Sequence, residues 1–168
     1  LDPRAYQPAS TYELPGLERV VARQARAIVA DGDTVADRKT VGGGKTVGDG
    51  ETGGGEQIAI WGDFDVDGQT ATTVLVSTLR DQGATARYHI PVRAKESHGV
   101  NIPVLKRIVA DGVDVLLTCD TGVGSHEAIA YAQSQGVDVV VTDHHDLPAA
   151  LPEAYAIVNP KMLPESHP

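Results

Sequence analysis

Three short acidic segments carry the side chains best suited to chemistry: GDFDVDG at 62–68, CDTG at 119–122 and DHHD at 143–146. Taken singly, each has a plain reading, because Asp and Gly after a strand are common turn formers and a lone DFD is more often a solvated turn or helix cap than a ligand set. Three such segments, one with adjacent histidines, are harder to explain that way. Two carboxylates about 4 Å apart repel by roughly 4 kcal/mol at an effective dielectric of 20, so several gathered in one place imply a compensating cation. Carboxylates with histidine suit a hard to borderline divalent ion, Mn2+ most naturally and Mg2+ as the alternative. Cys119 is the only cysteine, which argues against a structural zinc site and rules out an internal disulfide. Two ions sharing a carboxylate would activate water and hold a phosphoryl oxygen, so the chemistry indicated is phosphoryl hydrolysis.

These segments can meet only if the elements before them end at one edge. Apolar runs predict strands at Ile58 to Trp61, Val113 to Thr118 and Val137 to Thr142, and the regular pattern places another at Thr85 to Ile90. Between them, apolar residues at helical spacing predict helices at Thr70 to Arg80, Val104 to Ala110 and about Ser125 to Gln135. Strand and helix alternate, which predicts an α/β fold: a mainly parallel sheet with helices on both faces and right-handed crossovers. Ligands of such sheets collect beyond the carboxyl ends of the strands, where IAIWGDFDVDG, VLLTCDTG and VVVTDHHD all turn acidic. The helix that begins after Gly68 would also turn its free N–H groups toward this crevice.

Upstream, residues 1 to 12 read as an irregular lead-in with Pro3 and Pro8, and residues 15 to 30 as an amphipathic helix with Pro15 in its first turn. Residues 42–55 hold eight glycines in fourteen positions and read as a flexible surface insertion, since they cannot bury enough apolar surface to offset their ordering entropy. Gly44-Lys45-Thr46 imitates a phosphate loop, but Lys39 stands where that motif needs glycine. Gly122 and Gly124 begin a dinucleotide fingerprint whose third glycine is Glu127, so that match fails as well.

The chain's 168 residues, 41% of them hydrophobic, suffice for one domain with its own core. No apolar run reaches 18 residues and no signal peptide is indicated, so a membrane is not expected as a partner and the cytoplasm is the expected location. A net charge of −9 is the wrong sign for gripping nucleic acid over the whole surface, so any contact with DNA must be local.

At its acidic segments the chain resembles the DHH phosphoesterase superfamily and, within it, the RecJ-type exonucleases. GDFDVDG resembles the first motif of that group, CDTG the second and DHH at 143–145 the third. HIPVR at 89–93, AIVNPK at 156–161, the lead-in LDP and the LPG before the first helix are similar to it too. The resemblance implies that Asp65, Asp67, Asp120 and His144 are metal ligands, with Asp120 as the bridge between two Mn2+ or Mg2+ ions and Asp63 as a further ligand. It implies that Asp143 and His145 orient the site or meet the scissile phosphate, and that Arg93 holds a substrate phosphate. The bare chemistry of Arg93 fits a solvated loop arginine equally well.

The implied activity is metal-dependent hydrolysis of single-stranded DNA by an exonuclease of DNA repair and recombination; protein partners are not specified. Two alternatives remain: a phosphodiesterase of short oligonucleotides or cyclic dinucleotides, and a non-catalytic scaffold that has kept its ligands. The pyrophosphatase branch carries a histidine where this chain has Trp61. Ser97-His98-Gly99 departs from the usual Gly-Tyr-Gly. The fourth motif, with its metal-binding aspartate, has no counterpart before Pro168. The expected organisation is therefore a DHH domain over 1–168, incomplete at its C-terminal side, without the second, DHHA1-type domain.

Overall fold

The computed structural model describes residues 13–29 and 55–164. The lead-in, the Gly44-Lys45-Thr46 triplet and the glycine-rich segment up to residue 54 lie outside those residues. Among the described residues, five strands form one fully parallel sheet in the order β2-β1-β3-β4-β5: β1 Gln57–Trp61, β2 Thr85–His89, β3 Val115–Cys119, β4 Asp138–Thr142 and β5 Ala156–Val158. The helices are α1 Leu17–Ile28, α2 Val66–Asp81, α3 Arg93–Glu96, α4 Ile102–Ala110 and α5 His126–Ser134, with a final 3-10 turn at Pro160–Met162.

The period-2 alternation of the strands divides the core in two. Ile58, Ile60, Val115, Leu117 and Val140 point to one face, where they pack with Val20 and Ala27 of α1 and Val76 and Leu79 of α2. Their neighbours Ala59, Trp61, Leu116, Val139 and Val141 point to the other, against Leu105 of α4 and Ile129 and Ala132 of α5. Burial on both faces explains why these strands read as unbroken apolar runs. Arg23 of α1 is buried, and it is tolerated there because its guanidinium meets Glu56 and Asp138, each at 2.5 Å.

Several elements differ from the sequence reading. Helix α2 starts at Val66 rather than Thr70, because the Asp65 carboxylate caps it by accepting from the Gly68 N–H at 2.9 Å. Gly68, a poor helix former, lies in the first turn of α2, where apolar spacing gives no signal. Helix α1 starts two residues later than expected, with Gly16 as its N-cap and Pro15 in the preceding turn. Strand β3 begins two residues later and runs one further, to Cys119. The single turn α3 and the three-residue β5 are too short for periodicity to signal. Among the described residues no helix is long and apolar enough to cross a membrane.

Candidate metal centre

From β1 the chain crosses over α2 to β2 on one side, and from β3 it crosses over α5 to β4 on the other. The sheet order therefore reverses between β1 and β3, and a crevice opens above that point. The loop after β1 enters it with Asp63 and Asp65, β3 delivers Asp120, and β4 delivers the pair His144 and His145.

Two groups of ligand-type atoms lie there, each within 4.8 Å of one another: Asp63, Asp65 and Asp120, then Asp120, His144 and His145. Asp120 belongs to both, as a bridging carboxylate would. Its backbone is left-handed at φ 59, with its N–H donated to the Thr142 carbonyl at 3.0 Å. Its Oδ1 is 2.8 Å from Nε2 of His144, while Oδ2 is buried without a hydrogen-bond partner. A buried acceptor left unpaired costs about 1–3 kcal/mol, so this orphaned oxygen is an observation that a cation fits. Burial first, and then the charge of Asp65, push the Asp120 carboxyl above its ordinary range. Asp65 shifts the opposite way, chiefly because the Gly68 N–H holds its charged form.

The same hydrogen bond narrows the expected phosphate cue at α2. The N–H of Gly68 is taken by the Asp65 side chain and that of Gln69 by the Asp65 carbonyl, so neither is open to a ligand. Gly68 has a different reason to be glycine: a Cβ there would lie 2.6 Å from the Asp63 backbone nitrogen and 2.7 Å from its Cα. Gly122 is likewise required by packing, with φ +113 and only 2.5 Å between a built Cβ and the Thr118 hydroxyl. That accounts for the first glycine of the failed dinucleotide fingerprint.

Asp67 stands apart from both groups. It is exposed in the first turn of α2, two residues after the cap, and residues so spaced do not share a helix face. It still lines a recess of about 370 Å³ together with Asp120, Asp143 and His144.

Asp143 is buried and accepts four hydrogen bonds: from Val123 N at 2.9 Å, His144 N at 2.8 Å, His145 N at 3.1 Å and the His145 ring Nδ1 at 2.7 Å. Burial alone would raise its pKa, but these donors outweigh it and leave the carboxyl below its ordinary range. The bond to Asp143 in turn raises the pKa of His145. Asn159, which sequence chemistry did not single out, is fully buried and holds this turn by donating to the His145 carbonyl at 3.0 Å.

A folded carboxyl with a lowered pKa contributes stability that is present above its unfolded pKa and lost as pH falls through its folded value. Asp143→Asn is therefore expected to flatten the loss of stability below about pH 4. It should also weaken Mn2+ binding about 10- to 100-fold, as loss of an orienting partner does. Denaturant titration across acid pH and calorimetry with Mn2+ check the two effects.

Arg93 lies on α3 rather than in a loop, exposed, with its guanidinium carbon 5.1 Å from the centre of the Phe64 ring. His98 meets the same ring at 4.9 Å. Phe64 stands between Asp63 and Asp65 in the chain, and His98 shares a cavity lining with Asp63. That cavity, of about 740 Å³, is lined by Asp63, His98, Val123, His126, Asp143 and His145 among others. That volume is within the ordinary range for small-ligand sites.

The chain is similar in sequence and in fold to known proteins. The chain is 43% identical over 108 residues to the single-stranded-DNA-specific exonuclease RecJ of Haemophilus influenzae, and 40% over 106 residues to that of Bacillus subtilis. These matches take in 64% and 63% of this chain but only 19% and 14% of those proteins. Among solved structures, an exonuclease RecJ bound to manganese superposes with a TM-score of 0.73 at 28% identity, over 94% of this chain and 34% of that one. RecJ of Thermus thermophilus in complex with Mn2+ gives 0.67 at 25%, over 94% and 19%. Residues 57–166, which hold every acidic strand end described above, match the model of the DHH family, N-terminal domain, and the chain belongs to that family.

Proposed function

We propose that this chain carries the metal-binding part of a RecJ-type exonuclease that hydrolyses single-stranded DNA in repair and recombination. The observation that carries the reading is the convergence of Asp63, Asp65, Asp120, His144 and His145 on one crevice, with Asp120 shared and one of its oxygens unpartnered. In this reading Asp63, Asp65, Asp120 and His144 would hold Mn2+ or Mg2+ as two ions, with Asp120 common to both groups, and Asp67 would join from the rim of the same recess. When bound, such ions supply an activated water and a clamp for a phosphoryl oxygen.

The remaining roles fall to the chain itself. Asp143, with its acceptors occupied, is a positioning residue: it accepts a hydrogen bond from Nδ1–H of His145 and leaves Nε2 as the free ring nitrogen. His145 is the group next to the scissile phosphate, and Arg93 holds a phosphate of the strand by charge-assisted hydrogen bonds. With a net charge of −9, grip on DNA is local to that arginine and the ions. We further propose that the aspartate of the fourth motif and a second, DHHA1-type domain belong to sequence other than these residues, and that the host protein works in the cytoplasm.

The test incubates the chain with Mn2+ and labelled single-stranded DNA, duplex DNA or a cyclic dinucleotide, beside a chain extended through the fourth motif and second domain. Slow, metal-dependent release of nucleotides from the single strand is expected, accelerated by the extension. Faster turnover of the cyclic dinucleotide would move the reading to that substrate class. Inactivity of both chains with bound Mn2+ would favour the scaffold.

A further inference from the structure

We infer that Glu96 is a positioning residue for substrate binding, clasping the segment that carries Arg93 and His98 against Phe64. The inference rests on the phosphate-binding role proposed above for Arg93. Helix α3 is four residues long and has no side-chain cap, and so short a helix cannot hold itself. Glu96, its last residue, supplies what it lacks. One carboxylate oxygen lies 2.7 Å from His89 Nε2 at the end of β2, and the other accepts from Val92 N, just before Arg93, at 3.1 Å. The Glu96 carbonyl accepts from the Asn101 side chain, the cap of α4, at 3.2 Å.

One residue thus ties together three places: its side chain joins the end of β2 to the start of α3, and its main-chain carbonyl holds the cap of α4. His89 extends the tie to the acids. Its ring packs 4.6 Å from that of Trp61, and its carbonyl accepts from Gly62 N, one residue before Asp63, at 3.0 Å. After Glu96 the backbone reverses through Ser97 at φ 64 and Gly99 at φ 78, which brings His98 onto Phe64, the ring that Arg93 also covers.

The Glu96 side chain is only 13% exposed, although the residues around it are mostly exposed. Burying a carboxylate is unfavourable unless donors are aimed at it. Burial alone would raise its pKa, yet the bonds from Val92 and His89 leave it lowered and the group ionised. A solvated turn needs no such clasp, whereas an arginine that must meet a phosphate at one place does.

The direct test is nuclear magnetic resonance of the Arg93 side chain in the intact chain, where the Phe64 ring should displace its N–H signals. Glu96→Gln, and His89→Phe from the other side of the clasp, should return them to solvent-like positions while Mn2+ affinity by calorimetry stays unchanged. Binding of a hydrolysis-resistant phosphorothioate single strand, in Mg2+, should weaken about tenfold in each variant, as loss of an orienting partner does. The double variant Arg93→Ala/Glu96→Gln should bind no worse than Arg93→Ala, because Glu96 acts through Arg93. Unmoved Arg93 signals, or losses that add, would overturn the inference. Displaced signals with no loss on Arg93→Ala would instead remove the phosphate role of Arg93, leaving the metal centre standing.

Discussion

Asp120→Asn is expected to separate stability from activity. The carboxyl of Asp120 is pushed up by burial and by Asp65, so the folded metal-free chain holds its proton more tightly than the unfolded one. A raised folded pKa means stability present below the unfolded value and lost as pH rises through the folded one. Ionised, Asp120 is therefore destabilising in the folded metal-free chain, relieved in part by His144 and His145, and a cation in the crevice would offset the rest. An asparagine side chain removes the charge, keeps an oxygen for His144, and accepts φ 59 as readily as any residue other than glycine. Thermal unfolding without metal should give a higher melting temperature, by roughly 2–4 °C for each kcal/mol relieved in a chain of this size. With Mn2+ the order should reverse, because the wild-type chain gains binding energy and the variant does not. Hydrolysis should fall by about a hundredfold or more, the scale of losing correct placement at the reacting centre. A lower melting temperature for the metal-free variant would show that Asp120 is a structural acid.

Gly68→Ala should strike the fold and the site together. Its new methyl group would enter within 2.7 Å of the Asp63 backbone, where no flexible side-chain end can move aside. Either α2 backs away from β1 or the loop that aims Asp63 and Asp65 shifts. Overpacking of this kind costs about 1–3 kcal/mol. A displacement of about 1 Å at the ligands would lower activity on the order of a hundredfold. Gly124→Ala is the control: its built Cβ meets nothing within 4 Å and its backbone is not left-handed, so its stability should stay within about 0.5 kcal/mol of wild type. Denaturant unfolding and Mn2+ calorimetry on both variants decide the matter. Equal, small effects would mean that the close approach at Gly68 is not what holds the acids in place.

The strands that deliver the acids were legible because burial on both faces leaves Val115 to Leu117 and Val139 to Val141 as unbroken apolar stretches that run, through a buried or half-buried threonine, into Asp120 and Asp143. Convergence followed, since a parallel sheet presents all its carboxyl ends at one edge. What stayed hidden were facts about facing and hydrogen bonding. Asp65 and Asp67 look equivalent in a DVD triplet, yet the first caps α2 and the second lies inside it, so only the first enters a ligand group. Glu96 and Asn159 act through bonds to His89 and to the His145 carbonyl, partners 7 and 14 residues away that no local pattern names. Strand β5 has three residues, and its place in the sheet is fixed by pairing with β4, which is information external to its own sequence.

Trp61 gives the chain a built-in optical reporter. It is the only tryptophan, fully buried, with its indole N–H unpartnered, and it stands two residues before Asp63 against the ring of His89. Its fluorescence therefore originates at the joint between the carboxylate loop and the Glu96 clasp, free of any second indole. Mn2+ is paramagnetic and an effective quencher at short range, whereas Mg2+ is neither. The difference in emission between the two ions would thus report occupancy of the crevice separately from any movement of the loop, in the native chain and without a label.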